Sequence, residues 1–306
     1  MSEIIRTNNI SKNYGSFTAL RDMNITIKKG DIYGLVGNNG AGKTTFLRIL
    51  TGQSQPTSGT FELFGKSGEK ELQRARRRTG AIIEQPCFYP KLTVGKNLEY
   101  YRIQRGIPGK DSVDRALEAV NILEAKNKKF SDLSLGMKQR VGLALAMMGE
   151  PELLILDEPI NGLDPSGIIE IRNLILKLNK ENNVTIIISS HILSELSNIA
   201  TSYGFLNKGV LVEQLTAKEL EDKCTSYIEV KVDNPKKLCA VIEEKLGYKN
   251  YKVLPGNEIH LFEGIKEPEK VSKLAVENGM ALKEITQKMI KLEDYYMSLV
   301  GGNDNE

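Results

Sequence analysis

The stretch from Ile32 to Leu50 is the feature that most constrains the fold of this chain. It reads Ile-Tyr-Gly-Leu-Val-Gly-Asn-Asn-Gly-Ala-Gly-Lys-Thr-Thr-Phe-Leu-Arg-Ile-Leu, a short apolar strand, a glycine-rich turn and the start of a helix. The turn fits the pattern G-x-x-x-x-G-K-[ST], in which glycines let backbone N–H groups converge on an anion at a helix N-terminus. The stretch therefore predicts a phosphate-binding loop.

Individual residues of this loop have expected contacts with a nucleoside triphosphate. Lys43 should reach the outer phosphates, and the hydroxyl of Thr44 should bind Mg²⁺, which prefers near-octahedral oxygen ligands. Kinases, GTPases, motors and transporter ATPases share such a loop, so it indicates the ligand class and not the reaction. The nucleotide-binding candidates of the loop are Gly37, Asn38, Asn39, Gly40, Ala41, Gly42, Lys43, Thr44 and Thr45.

Composition and charge narrow the class of protein. With 306 residues the chain is long enough for about two domains, each with its own core. Its 42 Lys and Arg residues and 39 Asp and Glu residues are mixed along the sequence, so we expect no nucleic-acid partner. The 3 cysteines are far apart, which favours a reducing compartment over a disulfide framework.

We expect neither a signal peptide nor a membrane-spanning helix. The N-terminal residues contain no basic region followed by an apolar block. No apolar run approaches the roughly 18 to 20 residues that a membrane helix requires. The sequence thus predicts a soluble protein that reaches a membrane only through a partner.

The pattern of apolar residues predicts an α/β fold with a helical insertion. Residues 3 to 35 alternate apolar and polar positions, which predicts strands and hairpins, and a second set of short strands is expected between 56 and 68. From about 93 to 148 the spacing becomes helical. Leu153 to Leu156 is a continuous apolar run, typical of a strand buried on both faces of a parallel sheet. Further predicted elements are a helix at 69–78, a strand at 79–84, a helix at 166–180 and a strand at 184–188.

Beyond residue 213 the pattern indicates a second, smaller α+β domain. The order of its elements is βαββαβ, which is typical of a ferredoxin-like sandwich. The first domain is expected to cover 1–220, with a helical subdomain at about 86–150, and the second to cover 221–306. The predicted elements of the second domain are strands at 226–232, 251–254, 258–261 and 281–285 and helices at 235–246, 267–277 and 291–299.

Two adjacent carboxylates, Asp157 and Glu158, follow the apolar run that ends at Leu156. Ligands of open α/β sheets bind at the carboxyl ends of the strands, so both carboxylates should face the phosphates. We expect Asp157 to hold Mg²⁺, directly or through water, and Glu158 to be the general base that deprotonates the attacking water. A helix-capping acidic pair is the disfavoured alternative, because unpaired carboxylates beside a core strand are costly without a cation.

Several motifs resemble, in order and spacing, the nucleotide-binding domains of ABC transporters. They are Leu133 to Arg140, Leu153 to Glu158, Asn161 to Asp164 and Ser189 to His191. Together with the phosphate loop, the resemblance covers about residues 3 to 215. It implies a P-loop NTPase fold of the ABC ATPase type, with an antiparallel β subdomain and a helical subdomain. It also implies that the chain binds and hydrolyses ATP with Mg²⁺.

The resemblance implies roles for residues outside the loop. Tyr14 resembles the aromatic residue that stacks on the adenine ring. Gln85 resembles the catalytic glutamine that contacts the γ-phosphate and the metal, close to where the membrane subunit docks. His191 resembles the switch histidine that contacts the γ-phosphate, and its place after an apolar strand favours that role. His260, the other histidine, has no such context and is expected to be a surface strand residue.

The resemblance also implies that one chain does not complete its own ATP site. Ser134 and Gly136 match the serine and last glycine of the LSGGQ signature, which contacts the γ-phosphate of the nucleotide held by the opposing subunit. Asp164 matches the aspartate of the D-loop. Leu135 and Met137 depart from the common signature, which has glycine and glutamine there. A hydroxyl and a glycine at a helix start still form an anion site, so we expect changed contact geometry rather than lost ATP binding.

The implied partners are a second nucleotide-binding subunit, as a homodimer, and integral membrane permease subunits at the cytoplasmic face of the cell membrane. The motif variants look like those of the bacitracin and lantibiotic self-protection branch of bacterial exporters. Two other functions stay open: an importer ATPase whose residues 225 to 290 bind a small effector, and a soluble ABC ATPase of translation or DNA repair. The smaller domain has the further alternative of only strengthening dimerisation.

Overall fold

The structure is a computed structural model in which the chain divides into two compact units, Met1–Ala217 and Lys218–Glu306. The helix Ala217–Lys223 contains both this division and the domain boundary at residue 220 that the sequence predicts. Within the described part of the chain, no helix is both long and apolar enough to cross a lipid bilayer. The described residues are 2–84, 87–224, 226–289 and 292–301.

The first unit contains a six-stranded, mostly parallel sheet and a four-stranded antiparallel sheet. Its strands are β1 (Glu3–Tyr14), β2 (Phe17–Met23), β3 (Thr26–Lys28), β4 (Ile32–Gly37), β5 (Ser58–Leu63), β6 (Thr79–Ile82), β7 (Leu153–Asp157), β8 (Thr185–Ser190), β9 (Ser202–Asn207) and β10 (Val210–Thr216). The order in the larger sheet is β10-β9-β4-β8-β7-β6, where β10 is antiparallel to β9 and the other neighbours are parallel. In the smaller sheet β1 pairs with β2, β3 and β5. The two sheets confirm the expected α/β fold with an antiparallel subdomain.

A helical region lies between β6 and β7, as the sequence predicts. Thr93 and Ser134 are N-caps within it, and each side-chain oxygen accepts a hydrogen bond from a backbone N–H of the first helical turn. Two 3₁₀ turns, Leu123–Ala125 and Phe130–Asp132, lie between the last two helices of this region. The helices of the first unit are α1 (Lys43–Thr51), α2 (Glu69–Arg76), α3 (Val94–Gln104), α4 (Ser112–Ala119), α5 (Leu135–Met147), α6 (Pro165–Asn182) and α7 (Leu193–Leu196).

The central strands of the parallel sheet are buried along almost their whole length. Every residue of β4 and β8 is buried, and in β7 only the last residue is partly exposed. Leu35 of β4, Leu153 of β7 and Ile187 of β8 share one apolar core with Phe46 of α1. Burial on both faces explains why these strands are continuous apolar runs in the sequence. It also fixes the positions of their carboxyl ends.

Two parts of the first unit differ from the sequence prediction. In place of a set of short strands between 56 and 68, the described structure has one, β5. The positive φ angles of Gly65 (68°) and Gly68 (78°) turn the chain after β5, so these glycines end a strand and do not separate several. The hairpin of β9 and β10 was not predicted. Its turn contains Lys208 and Gly209, both with positive φ, and β9 adds a parallel strand beside β4.

The second unit has the βαββαβ order that the sequence predicts. Its elements, following α8 (Ala217–Lys223), are β11 (Ser226–Val232), α9 (Pro235–Leu246), β12 (Tyr251–Leu254), β13 (Glu258–Leu261), α10 (Pro268–Glu277), β14 (Leu282–Met289) and α11 (Leu292–Gly301). The strand order is β12-β13-β11-β14 with antiparallel neighbours, the arrangement of a ferredoxin-like sandwich. β14 extends past the predicted end at 285, because it pairs with β11 along its whole length.

A charged cluster lies on the face of this sheet that points away from its apolar core. Ile228 of β11 is in the core, so Glu229, the next residue, points to the other face. Glu229 is 3% exposed and accepts a hydrogen bond from Lys288 Nζ. His260 Nε2 lies 2.6 Å from Glu258 Oε1, and the His260 side chain is 19% exposed. His260 is therefore a strand residue, as expected, and its side chain is partly exposed.

Candidate functional site

The phosphate loop joins β4 to α1, and its last residue before the helix must be glycine. Gly42, the N-cap of α1, has a φ of 106°. A Cβ atom on it would lie 2.7 Å from Leu20 Cδ2 and 2.8 Å from Ala19 O. A left-handed backbone and so close a contact exclude larger side chains. The first N–H groups of a helix have no intrahelical acceptor, so this start of α1 is suited to bind an anion. The turn before it is formed by Asn38, Asn39, Gly40 and Ala41.

The side chain of Lys43 lies between this loop and the end of β7. Lys43 is 6% exposed, and its Nζ donates a hydrogen bond of 2.6 Å to the carbonyl oxygen of Gly37. The same Nζ lies 3.2 Å from Oε1 of Glu158. Because a buried ammonium group needs anionic or carbonyl partners, the loop and Glu158 together fix its position. The structure thus brings together three of the predicted site residues, Gly37, Lys43 and Glu158.

Asp157 is held by two hydroxyl groups, one on each carboxylate oxygen. Thr44 Oγ1 donates a 2.8 Å hydrogen bond to Oδ2, and Ser189 Oγ donates a 2.6 Å hydrogen bond to Oδ1. Thr45 follows Thr44 in the first turn of α1. A hydroxyl oxygen and a carboxylate oxygen side by side are hard donors of the kind that Mg²⁺ prefers. The side chains of Thr44 and Asp157 therefore fit the magnesium ion that the sequence predicts.

Glu158 and His191 are direct neighbours. Oε2 of Glu158 lies 2.7 Å from Nδ1 of His191, and Glu158 has a positive φ of 48°, which is uncommon outside glycine. The backbone N–H of Glu158 donates a 2.9 Å hydrogen bond to Ser189 Oγ. The side chains are partly exposed, at 21% for Glu158 and 31% for His191. The predicted base and the predicted switch histidine therefore form one hydrogen-bonded pair that water and ligands can reach.

The order of the strands explains why these side chains meet. β8 lies between β4, which leads into the phosphate loop, and β7, which ends in Asp157. In register, Ser189 is paired with both Leu35 of β4 and Asp157 of β7. The three strands are parallel, so their carboxyl ends lie at one edge of the sheet, where ligands of such sheets bind. One edge thus carries the loop, the two carboxylates and His191.

The signature residues are at the start of α5. Ser134 is its N-cap, and Ser134 Oγ accepts a 3.3 Å hydrogen bond from the N–H of Met137. Leu135, which stands in place of a glycine, is 42% exposed. A Cβ atom placed on Gly162 would lie 3.6 Å from Cδ2 of Leu135. A Cβ atom placed on Gly136 would lie 4.0 Å from Cδ2 of Leu163. The leucine that departs from the common signature therefore lies beside the loop before α6.

Asp164 is the N-cap of α6. Its carboxylate accepts a 2.8 Å hydrogen bond from Ser166 Oγ and a 3.1 Å hydrogen bond from the N–H of Gly167. These bonds, the one from Ser166 most of all, lower the pKa of Asp164. Asp164 is therefore an ionised cap that holds the loop from Asn161 onward against the start of α6.

Two residues that the family resemblance singled out lie at the borders of the site. Tyr14 is the last residue of β1 and is 47% exposed, so its ring is accessible for stacking. The Nζ of Lys12 lies 4.9 Å from the centre of this ring. Gln85 lies outside the described residues, and its role stays a prediction. The residue before it, Glu84, is described and forms an ion pair with Arg48 of α1.

Sequence reasoning gave no role to the two serines before His191. Ser189 contacts both Asp157 and Glu158, and Ser190 Oγ donates a 2.7 Å hydrogen bond to Glu195 Oε2. Both serines are 0% exposed. Two hydroxyl residues in a row at the end of an otherwise apolar strand were the available signal, because buried hydroxyls require polar partners.

Comparisons with known proteins identify the family of this chain. The family model described as ABC transporter matches residues 20–161. The chain is 42% identical over 302 residues to the bacitracin transport ATP-binding protein BcrA of Bacillus licheniformis, which covers 99% of both chains. It is equally identical to BcrA of Enterococcus faecalis, over 99% of this chain and 98% of that one. The lantibiotic transport ATP-binding protein SrtF of Streptococcus pyogenes is 39% identical and covers 68% of this chain and 89% of its own.

Solved structures show the same fold. CbiO1 from Clostridium perfringens, part of an ABC transporter complex, superposes with a TM-score of 0.66 at 27% identity, over 81% of this chain and 97% of that one. The ATP-binding cassette MJ0796, a dimer bound to ADP and Pi in a post-hydrolysis state, superposes with a TM-score of 0.62 at 25% identity, over 70% and 98%. Relatives at 42% identity align with almost the entire chain, and solved ATP-binding cassettes share its fold. The chain therefore belongs to the ABC transporter family, as an ATP-binding protein with ATPase activity.

Proposed function

We propose that this chain energises a separate membrane permease in export of, or resistance to, a peptide antibiotic such as bacitracin or a lantibiotic. The observation that carries this proposal is the 42% identity to bacitracin transport ATP-binding proteins over 99% of the chain. That match extends through the second unit, whereas the match to the lantibiotic transport protein covers 68% of the chain. The bacitracin-type function is therefore favoured.

ATP is proposed to bind at the phosphate loop. The N–H groups from Gly40 to Thr45 surround the phosphates, and Lys43 contributes the positive charge that they need. The exposed ring of Tyr14 stacks on the adenine. This arrangement orients the γ-phosphate toward the end of β7, where Asp157 and Glu158 lie.

Mg²⁺ is proposed to be held by Thr44 and Asp157, with Gln85 as a further ligand. The adjacent hydroxyl and carboxylate oxygens of Thr44 and Asp157 support this assignment. When bound, the ion neutralises charge on the phosphate oxygens. Asp157 is positioned for this by hydrogen bonds to both of its oxygens.

Hydrolysis is proposed to depend on Glu158 and His191. Glu158 accepts a proton from the attacking water as the general base, and a partly exposed carboxylate allows a water to approach. His191 holds Oε2 of Glu158 through its Nδ1 and contributes its other ring nitrogen to the γ-phosphate. Lys43 stabilises the phosphate charge that develops during the reaction.

A second copy of the chain is proposed to complete each ATP site. Ser134 and Gly136 at the start of α5, where helix N–H groups favour an anion, contact the γ-phosphate held by the partner chain. Asp164 holds the loop next to them through its bonds to Ser166 and Gly167. Two chains then close head to tail around two ATP molecules, and hydrolysis lets them separate. A permease that binds the closed and open states differently converts this cycle into transport.

An importer ATPase with an effector-binding domain is the second candidate. The methionine import ATP-binding protein MetN 2 of Enterococcus faecalis is 33% identical over 254 residues, covering 78% of this chain and 74% of its own. Under this alternative the ferredoxin-like unit binds a small effector such as an amino acid. Equilibrium dialysis of the chain against radiolabelled amino acids separates the two candidates, since the exporter proposal predicts no binding.

Antibiotic susceptibility tests the main proposal. The chain is expressed in a bacitracin-sensitive bacterium together with candidate permease subunits from its source genome, and the minimal inhibitory concentration of bacitracin is measured. We expect resistance with the unaltered chain and none with Glu158→Gln, although both proteins reach the membrane fraction. Equal sensitivity of both strains would contradict peptide-antibiotic export while leaving the ATPase activity intact.

A further inference from the structure

Ser189, near the end of β8, contacts both carboxylates at the end of β7. Its Oγ donates a hydrogen bond of 2.6 Å to Oδ1 of Asp157 and accepts one of 2.9 Å from the backbone N–H of Glu158. The side chain is 0% exposed, so water does not compete for these bonds. A buried hydroxyl that donates to one group and accepts from another has a fixed orientation.

The bond to Asp157 decides how its carboxylate is rotated. With Ser189 on Oδ1, the other oxygen, Oδ2, points to Thr44 Oγ1 at a distance of 2.8 Å. Oδ2 of Asp157 and Oγ1 of Thr44 are the proposed magnesium ligands. Without Ser189, nothing in the described structure donates to Oδ1, and only the hydrogen bond from Thr44 to Oδ2 restrains rotation of the carboxylate about its terminal bond. Ser189 thus fixes the oxygen that a metal ion needs.

The bond to Glu158 fixes its backbone. Glu158 has a φ of 48°, a left-handed conformation that is unfavourable for residues other than glycine. Its N–H is bound by Ser189, and its carbonyl oxygen accepts a 3.2 Å hydrogen bond from the N–H of Asn161. In this conformation the carboxylate of Glu158 reaches both Lys43 and His191. A relaxed backbone would point it elsewhere.

We propose that Ser189 is a positioning residue for ATP hydrolysis. It sets the rotation of the metal-binding carboxylate and the direction of the general base through one hydroxyl group, without touching the nucleotide. The inference rests on the proposed function of Asp157 and Glu158. Because β8 lies in register between β4 and β7, one serine couples the metal-binding carboxylate of Asp157 to the orientation of Glu158, the general base.

Ser189→Ala removes both hydrogen bonds and adds no bulk. Thr185→Val is the matched control, because Thr185 is also 0% exposed on β8 and its Oγ1 accepts a 2.9 Å hydrogen bond from the N–H of Gly30 at the other end of the strand. The measurements are kcat, the KM for ATP and the Mg²⁺ concentration for half-maximal activity. Melting temperatures and Mn²⁺ binding in the presence of ATP, followed by electron paramagnetic resonance, give readouts that need no turnover.

For Ser189→Ala we expect kcat to fall roughly 10- to 100-fold, the range that follows from losing one or two buried hydrogen bonds at a reacting centre. The Mg²⁺ requirement rises and Mn²⁺ binding weakens, whereas the KM for ATP changes little because the phosphate loop is intact. Thr185→Val lowers the melting temperature as Ser189→Ala does but leaves kcat and the metal requirement unchanged.

Two results would overturn the inference. One is a Ser189→Ala protein with the kcat and Mg²⁺ dependence of the unaltered chain. The other is a Thr185→Val protein that loses as much activity, since the effect would then be general destabilisation of β8. Glu158→Gln is measured in parallel: if it keeps full activity, the proposed function fails, and if it alone is inactive, only the role of Ser189 fails.

Discussion

The ammonium group of Lys43 lies 3.2 Å from the carboxylate of Glu158, so the proposed phosphate ligand and the proposed base are ion-paired. A γ-phosphate that reaches Lys43 competes with Glu158 for the same positive charge. Lys43 is buried, at 6% exposure, and Glu158 is partly exposed, at 21%, so solvent screens this competition only in part. Neutralising Glu158 should therefore affect binding and hydrolysis in opposite directions.

Glu158→Gln is expected to bind ATP at least as tightly as the unaltered chain, because the amide does not compete for Lys43. Hydrolysis should fall by on the order of 10² to 10⁴, as is typical for loss of a general base. The ATP-bound dimer should then accumulate. Phosphate release, binding of a fluorescent ATP analogue and size-exclusion chromatography check the three parts. Glu181→Gln on α6 is the control, and rapid turnover by Glu158→Gln would remove Glu158 from its role.

Lys43→Met is expected to weaken ATP binding by about tenfold or more, the scale of a charge-assisted contact to phosphate. The aliphatic part of the side chain is retained, so the apolar packing of this buried residue is largely preserved. Isothermal titration with ATP measures the change. Lys180→Met at the exposed end of α6 removes the same charge and should bind normally. Unaltered affinity of Lys43→Met would contradict nucleotide binding at this loop.

Gly42→Ala tests the backbone of the phosphate loop. The φ of 106° and the contacts of 2.7 Å and 2.8 Å that a Cβ atom would make predict strain of about 1 to 3 kcal/mol and a displaced loop. We expect a lower melting temperature together with weaker ATP binding. Gly149→Ala is the matched control, since a Cβ atom there meets nothing within 4 Å. Equal melting temperatures of the two variants would show that the loop tolerates a side chain.

The stability of the second unit should depend on pH through Glu229. The hydrogen bond from Lys288 and the charge of Lys231 lower the pKa of this carboxyl group. Because the pKa of Glu229 is lower in the folded unit than in the unfolded chain, where it is about 4.3, its ionisation stabilises the unit at pH values above about 4.3. This stabilisation is lost as the pH falls through the pKa of the folded state.

Lys288→Met should accordingly lower the melting temperature near neutral pH, and this effect should shrink as the pH falls through the lowered pKa of Glu229, below which the carboxyl group is protonated in both proteins. Thermal denaturation across this pH range, followed by circular dichroism, measures the difference. Lys236→Met on α9 is the control with the same loss of charge. A Lys288→Met effect that is equally large in acid would show that packing of the lysine, and not its charge, is the cause.

The phosphate loop and the run from Leu153 to Glu158 were sufficient to predict the α/β core and the proximity of Asp157 and Glu158 to the loop. Both signals are local: glycine spacing encodes a turn at a helix start, and a continuous apolar run encodes a strand buried on both faces. The carboxyl-end rule for parallel sheets then brings Asp157 and Glu158 to the loop without any knowledge of the strand order.

The features that the sequence did not predict depend on non-local pairing. The hairpin of β9 and β10 has a local signal in its turn at Lys208 and Gly209, but the pairing of β9 with β4, about 170 positions earlier in the sequence, is not local. The paired hydroxyls of Ser189 and Ser190 mark a polar strand end, but the two partners of Ser189 follow only from the position of β8 between β4 and β7. His260 looked isolated because Glu229 and Tyr227, which lie beside its ring, come from another strand, β11.

The position of β8 between β4 and β7 also sets the order of events during synthesis. β4 and β7 emerge from the ribosome before β8 yet are not paired with each other, so β8 must insert between them before the sheet is complete. A nascent chain that ends before Thr185 carries the phosphate loop and both carboxylates but cannot bring them into register. ATP can therefore stabilise this domain only after nearly two thirds of the chain has been made.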